Sequence, residues 1–386
     1  MRIETPFGNL ARERRRTLGG LLGTALLSWA TRGYAISEQD QRARMLFATR
    51  EQETNLEAQG LLYGDIALDA YLQSVMDRLY PERQGEYRVR ALRDTEFNAF
   101  AVATGHLYVF IGALLRLRNE AELAAVLGHE GGHLLGDHMY KRIVESKSIA
   151  RIGSALTLGL ATTLPGFGAL VNYSTMAGFS RDFERDADDI GFQRLTAAGY
   201  EPKAAASVFD RLAREVADRK IKQAPYFFSD HPKLLERARH FQMLAAGCPA
   251  GDLRTGEFLA ATQTASVAAL EKIHEHRDGA ELIAVLGDAG RTAQFAPIGE
   301  FLLGEGYRLR AADGDENRSL EQYARSIEQY PHFAPAYGAR GRLRARRGEH
   351  AAAIADLEYF VMLAPTAPET PFARQTIDHL KQDSLQ

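Results

Sequence analysis

The chain has 386 residues, of which 45% are hydrophobic and 25% charged, the composition of a globular protein long enough for two or three domains. Lys and Arg number 47 against 50 Asp and Glu, so the basic surplus typical of nucleic-acid binding is missing and we expect no nucleic-acid partner. The single cysteine, Cys248, excludes an internal disulfide and a cysteine-rich zinc site, so His, Asp or Glu would have to hold any metal.

The first 35 residues predict an export signal. An arginine cluster at residues 12–16 precedes an uncharged 13-residue run from Leu18 to Ala30, and small residues follow at Gly33 and Ala35. This order is typical of a secretory signal peptide, here cleaved after Ala35. The run is short for a membrane-spanning helix, so a retained anchor is the second interpretation. The arginine pair leaves the general and twin-arginine export routes both open.

The next segments predict helices, then a small sheet, then helices again. Residues 38–58 and 66–80 carry apolar side chains at helical spacing. Residues 86–111 alternate and are rich in β-prone side chains, which predicts two or three short strands. Asn119 followed by Glu122 is a helix-capping pattern, and helical patterns continue well beyond it. We therefore expect an α+β fold that is mainly α.

Residues 152–180 contain no charged side chain, so a membrane span has to be considered. Pro165 and its neighbouring glycines divide the segment into two pieces, each of which is too short to cross a bilayer. A buried helical hairpin, or an apolar lip beside a cleft, is the preferred interpretation. Contact between such a lip and a membrane surface is left open.

The motif with the clearest chemistry is His129-Glu130-Gly131-Gly132-His133, in the helix that follows Asn119. Residues four apart in a helix share a face, so both imidazoles can direct a nitrogen at one Zn²⁺. Glu130 lies beside them and can take a proton from a water polarised by the metal. The two adjacent glycines cost about 1 kcal/mol each relative to alanine. They fit either a closely packed backbone or a loosened, weakly active site.

A catalytic zinc site needs a third protein ligand. The extended motif HExxHxxGxxH would place it at position 139, which is Met139, so that pattern is excluded. A later charged run offers Glu184, with Asp188 four residues on and therefore on the same helical face. Such a pair suits one ligand and one residue that orients a ligand histidine. A solvent-exposed charged helix is the alternative.

The sequence becomes repetitive from about residue 296. Leu303, Gly304 and Tyr307 lead to Pro331, and Pro365 stands 34 residues after that proline. The two segments that end at these prolines resemble tetratricopeptide repeats, which are helix-turn-helix units of 34 residues. The first segment would need an insertion of about three residues. A plain helical tail is the alternative.

HEGGH and the later block FERDADDIGFQRLTAAGY together resemble the M48 zinc metallopeptidases. The resemblance is to the exported branch that joins a peptidase domain to tetratricopeptide repeats, and it extends over most of the chain. It implies a gluzincin fold with one zinc ion on His129, His133 and Glu184. Glu130 would be the general base, and Asp188 a supporting acid of the kind often assigned as proton donor.

Further segments match the same family. Asn98, Ala99, Phe100 and Ala101 resemble its active-site strand, which would pair with the backbone of a substrate. His138 falls where the family often carries a histidine that is not a ligand. His231 lies in a loop where it could close the fourth zinc position as a switch, donate a hydrogen bond to an oxyanion, or be structural. Arg237 is a candidate for stabilising the transition state.

The organisation implied is a signal peptide (1–35), an M48-like zinc peptidase domain (36–248), a helical linker (249–295), tetratricopeptide-like repeats (296–370) and a C-terminal tail (371–386). The resemblance implies a periplasmic zinc-dependent endopeptidase that cleaves misfolded or stalled proteins in extended form. Its repeats would dock envelope-assembly proteins. The alternative is a zinc-stabilised chaperone or assembly adaptor with a latent protease site.

Overall fold

The computed structural model describes residues 37–145, 179–218, 234–288 and 290–383. The predicted signal peptide, the loop that carries His231, and residues 152–178 of the uncharged segment lie outside these ranges. Contacts divide the chain into two units, Met1–Phe47 and Ala48–Gln386, and all packing below lies within the second. Among the described residues, no helix combines the length and the apolar character needed to cross a membrane.

The described residues form a mainly helical α+β fold with one small sheet. The first elements are α1 (Glu38–Ala58), α2 (Ile66–Leu79), β1 (Arg88–Leu92), β2 (Ala99–Ala101), β3 (His106–Phe110), α3 (Ile111–Arg116), α4 (Glu120–Leu135) and α5 (His138–Glu145). There follow α6 (Arg181–Ala197), α7 (Lys203–Asp218), α8 (Leu234–Ala245), α9 (Thr255–Glu275) and α10 (Gly279–Leu286). The last elements are α11 (Ile298–Arg310), α12 (Asp315–Gln329), α13 (Ala334–Arg346), α14 (His350–Leu363) and α15 (Thr370–Asp383).

The sheet has the strand order β1-β3-β2, which confirms the prediction of two or three short strands. β3 runs parallel to β1 and antiparallel to β2. Side chains of α2 bind the outer side of β1, since Asp69 accepts from the Ala91 N–H and Gln73 from the Val89 N–H, at 2.9 and 3.0 Å. The opposite edge of the sheet is β2.

Helix α4 crosses α6 at a surface without large side chains. Its start is capped as predicted, because the Asn119 side chain accepts from the Glu122 N–H at 2.9 Å. A Cβ atom on Gly128 would lie 3.0 Å from a backbone oxygen of Gly191, and one on Gly132 would lie 2.8 Å from the backbone oxygen of Ala187. Gly132 of the motif therefore allows close backbone contact, the first of the two explanations that the sequence left open, whereas a Cβ on Gly131 would meet the side chain of Tyr80.

Residues 249–295 are more than a linker. Helices α9 and α10 bury Phe258, Leu270 and Leu282 in the same hydrophobic core as the peptidase helices. Leu302 and Leu303 of α11 belong to that core as well, so the last five helices begin against α9 and α10 rather than apart from them. Burial of apolar surface is what holds such short helical hairpins together.

The predicted C-terminal tail is instead helix α15. Ala373 and Ile377 bury one face of this helix in a cluster with Leu357 and Phe360 of α14. The helix therefore covers apolar side chains that would otherwise end the stack of hairpins exposed, as terminal helices of repeat arrays do.

Candidate metal centre

Three buried side chains from two helices converge on one point. His129 and His133 of α4 have their Nε2 atoms 3.1 Å apart. The carboxylate of Glu184 on α6 lies 3.3 Å from Nε2 of His133 and 3.7 Å from Nε2 of His129. The residues are exposed by 1, 4 and 6% in the order His129, His133, Glu184. The structure thus brings together the two histidines and the glutamate that the sequence singled out.

The chemistry of this cluster fits zinc. One ligand atom from each residue lies within 4.8 Å of the other two, so all three can reach a single ion. Bonds of about 2.0–2.1 Å to a tetrahedral ion require neighbouring ligand atoms to be roughly 3.3 Å apart, close to the separations seen here. Two imidazoles and one carboxylate form a three-ligand set, the number found in catalytic zinc sites.

Local sequence explains how the third ligand reaches the histidines. Ser180 caps the first turn of α6 by accepting from the Phe183 N–H at 3.3 Å, which starts the helix just before Glu184. The close backbone contact at Gly128 and Gly132 then lets α6 lie against α4, so that the Glu184 side chain can reach the two histidines.

We expect Gly132→Ala to weaken zinc binding about tenfold or more and to cost about 1–3 kcal/mol of folding stability. The added methyl would force α6 away from α4, and α6 carries Glu184. A competition titration with a chromophoric chelator and a urea melt measure the two effects. The matched control is Gly256→Ala in α9, where a Cβ meets nothing within 4 Å. Equal zinc affinity in both variants would contradict this role for the helix spacing.

His129 is held by a buried ion pair. Its Nδ1 lies 2.9 Å from Oδ1 of Asp188, and Arg237 donates to both oxygens of that carboxylate, at 3.0 and 2.5 Å. Burial, followed by the charge of Arg237, lowers the pKa of His129 to about 4, so the imidazole is neutral at pH 7. An Nδ1–H bound to Asp188 leaves the Nε2 lone pair directed at the cluster.

The contacts of Asp188 do not suit a proton donor. Burial would raise its pKa, but the guanidinium of Arg237 and the hydrogen bond with His129 lower that pKa to about 2. The carboxylate is therefore ionised at neutral pH, with its oxygens committed to these two partners. Asp188 is placed to orient His129 instead, the second of the roles that carboxylate spacing indicated.

His133 has its own supporting side chains. Nδ1 of His138 lies 3.0 Å from Nδ1 of His133, and Nε2 of His138 lies 3.0 Å from Asp186. Phe179 stacks on the ring of His133 at a centroid distance of 3.9 Å, and Phe183 stacks on His138 at 4.6 Å. His138 thus lies beside a ligand candidate and outside the three-residue cluster.

Glu130 connects the helix of the histidines to the edge of the sheet. It is 2% exposed, and one of its carboxylate oxygens accepts from the Ala101 N–H of β2 at 3.0 Å. Val102 donates to His106, and Phe110 donates to the carbonyl of Asn98, so alternate residues of this segment face β3. The peptide groups of Ala99 and Ala101 therefore face the edge of β2 that pairs with no further strand among the described residues, called the open edge below, and Glu130 binds the Ala101 N–H there.

The side chain of Asn98, just before β2, is buried. It is 1% exposed, and among the described residues neither atom of its amide has a hydrogen-bond partner. A buried amide left in this condition is costly unless something else binds it. Ala99, Phe100 and Ala101 follow as strand β2, as the sequence resemblance implies for this segment.

Two supporting residues escaped the sequence analysis. Glu53 of α1 accepts from Thr104 at 3.0 Å, contacts Nδ1 of His106 at 2.5 Å and accepts from Tyr108 at 3.0 Å, which fixes the turn and strand that follow β2. Tyr80 donates to the carbonyl of Gly128 at 2.6 Å. Neither residue belongs to a local motif, because its partners lie about 50 residues away in the chain, so only the fold reveals it.

An HExxH helix joined to a glutamate from a second helix supplies the three ligands expected of a zinc metallopeptidase domain. In agreement with this, residues 67–245 match the profile of Peptidase family M48. The chain therefore contains a peptidase family M48 domain.

Relatives named as proteases also match part of the chain. The mitochondrial metalloendopeptidase OMA1 of Schizosaccharomyces pombe is 31% identical over 41% of this chain and 46% of its own length. A putative beta-barrel assembly-enhancing protease of Vibrio cholerae is 29% identical over 44% of this chain and 37% of its own length. Metalloprotease LoiP of Escherichia coli is 31% identical over 40% of this chain and 61% of its own length. The matched part is thus less than two thirds of each relative.

Proposed function

We propose that this chain is a zinc-dependent endopeptidase that cleaves proteins presented as extended strands. The observation that carries the proposal is the position of Glu130. Its carboxylate adjoins the two histidines in sequence and binds the Ala101 N–H of the open strand edge. A proton acceptor is therefore held between a three-ligand metal cluster and a surface that can pair with a peptide backbone.

The metal ligands in this proposal are His129, His133 and Glu184. A zinc ion held by them would act as a Lewis acid that polarises a peptide carbonyl and lowers the pKa of a water toward 7. Glu130 would accept the proton of that water as it attacks and then pass the proton to the leaving amine. Asp188 keeps His129 in the tautomer and orientation that this cluster needs.

Arg237 has one guanidinium nitrogen, Nη1, that does not bind Asp188. Two of its nitrogens bind Asp188, and the ring of Phe209 packs on the guanidinium with 4.1 Å between Cζ and the ring centroid. Among the described residues Nη1 has no hydrogen-bond partner, and it lies 3.6 Å from Glu184. A buried donor in this position can stabilise negative charge on the attacked carbonyl.

The substrate would bind as an added strand on β2. Ala99 presents its peptide group to that edge, where the Ala101 N–H is already bound by Glu130, and the buried amide of Asn98 lies just before the strand. Main-chain pairing is largely independent of sequence, so such a site selects chain segments that are unfolded or stalled in an extended form.

The C-terminal helices support a docking role. Gly304 of α11 packs on Tyr323 of α12, and Gly341 of α13 packs on Leu357 of α14; a Cβ on either glycine would be 2.6 or 2.8 Å from its partner. The same glycine contact recurs in successive hairpins, as in tetratricopeptide repeats. In the proposal these repeats dock envelope-assembly proteins, a role that fits the relatives named beta-barrel assembly-enhancing protease.

The place of action in this proposal is the periplasm, reached by export and cleavage after Ala35. This part depends on the sequence of residues 1–35 and is supported by relatives named for beta-barrel assembly, such as the beta-barrel assembly-enhancing protease of Escherichia coli. Contact of residues 152–180 with a membrane surface belongs to the same proposal.

Hydrolysis of casein by the zinc-loaded protein tests the activity. We expect cleavage that stops when a chelator removes the metal and returns when one equivalent of zinc is added, with zinc content measured in every sample. Loss of structure on chelation is followed by circular dichroism, so that inactivity is not confused with unfolding. Casein left intact by a protein that holds one zinc per chain would overturn the proposed activity.

A further inference from the structure

A cavity of about 900 Å³ is formed by α3, α7, α10 and the segment after α10. None of its lining residues belongs to the metal centre. Its most frequent lining side chain is arginine, and the six arginines are Arg116, Arg118, Arg211, Arg214, Arg291 and Arg310.

Five of these arginines have carboxylate partners. The pairs are Arg116 with Glu215 and Glu281, Arg118 with Asp288, Arg211 with Glu122, Arg214 with Asp210, and Arg310 with Asp315. Among the described residues that line the cavity, Arg291 is the arginine with no ion pair. A cationic side chain without a counter-ion is unusual at a buried position.

Arg291 is 5% exposed, and its partners in the protein are neutral. Its guanidinium donates to the carbonyl of Leu115 and to the side chain of Gln294, and it packs over Phe295 with 5.0 Å from Cζ to the ring centroid. Burial, and then the charges of Arg118 and Arg211, lower the pKa of Arg291 to about 10. The carboxylates of Glu122 and Asp288 act in the opposite direction and more weakly, and the group remains charged at pH 7.

The cavity can hold more than a simple ion. Its volume falls in the range of small-molecule pockets, about 300–1,000 Å³. Leu212, Ile283 and Val285 give it an apolar wall beside the arginines. The planar forks of arginine match phosphate oxygens, and one phosphate accepts hydrogen bonds from several guanidinium groups at once.

We propose that this cavity binds a small organic ligand through a phosphate group, with Arg291 as its central contact. The ligand would be a soluble phosphate ester or the headgroup of a phospholipid, which share this chemistry. Its binding would bridge α7 of the peptidase domain and α10, which packs on α11. We therefore expect ligand binding to stabilise the folded chain.

Titration of the zinc-loaded full chain with glycerol 3-phosphate tests the site, with potassium chloride at equal ionic strength as the reference. Calorimetry should show saturable binding, and the melting temperature should rise with ligand concentration. In Arg291→Gln we expect the apparent Kd to increase at least tenfold. Arg214→Gln should also weaken binding; this side chain is 69% exposed, so its loss does not threaten folding. Arg325→Gln on α12, an exposed arginine away from the cavity, is the charge-matched control.

Sedimentation with phosphatidylglycerol vesicles separates the two sources. Vesicle binding that Arg291→Gln abolishes identifies a lipid headgroup, whereas binding of glycerol 3-phosphate alone identifies a soluble ester. The proposal is overturned if neither probe binds saturably, or if Arg291→Gln and Arg214→Gln bind both probes as tightly as Arg325→Gln does.

Discussion

Glu130→Gln is expected to retain one zinc per chain and to cleave casein at least about 100-fold more slowly than the wild type, because general-base catalysis contributes about 10²–10⁴-fold. The amide has nearly the shape of the carboxylate, and its oxygen can still accept from the Ala101 N–H at the strand edge. What it loses is the ability to take a proton. Zinc content by mass spectrometry and initial rates at saturating casein measure the two effects.

Glu86→Gln is a suitable control, since this glutamate is 60% exposed and its ion pair in the described part of the chain is with Arg83 at the surface. It should cleave casein like the wild type. Full cleavage by zinc-loaded Glu130→Gln would refute the assignment of the base. Zinc-loaded wild type and Glu130→Gln that are both inactive would instead favour the adaptor with a latent site.

Asp188→Asn is expected to weaken zinc binding about 10- to 100-fold and to lower folding stability by about 3–5 kcal/mol. The first effect follows from losing the carboxylate that orients His129. The second follows because Arg237, exposed by 5%, is left as a buried charge without its bidentate partner. Chelator competition and urea denaturation report the two effects separately.

A double variant distinguishes positioning from plain stability. Asp188→Asn combined with Arg237→Gln removes both charges, so much of the lost stability should return. Zinc affinity should stay low, because no carboxylate holds His129. Asp189→Asn is the matched control, since its side chain is 42% exposed and contacts His240 instead of a ligand candidate. Zinc affinity that recovers together with stability in the double variant would contradict the orienting role of Asp188.

The features that the sequence predicted are those fixed by local spacing. Four-residue spacing places His129 beside His133, and the short strands follow from alternation. The sequence also predicts that Glu184 shares a helical face with a supporting acid four residues later, because helix geometry alone fixes that spacing.

What the sequence could not predict depends on contacts between distant segments. Arg237 binds a carboxylate 49 residues before it, and this contact supports an orienting role for Asp188. The sequence predicts a tail where the structure has helix α15, because the burial of Ile377 depends on packing against α14. That tertiary contact has no local sequence signal. Arg291 belongs to no sequence motif, since its lack of an ion pair among the described residues is a property of the folded cavity.

The open edge of β2 has a consequence for any client of the proposed enzyme. A folded client must first release a segment before that segment can pair with the edge, so its own stability becomes part of the barrier to cleavage. When opening and closing are fast, the cleavage rate follows the small fraction of open molecules. Each additional 1.4 kcal/mol of client stability then slows cleavage about tenfold. Such a protease would cleave less stable clients faster, and the sequence of the client would have little influence on the rate.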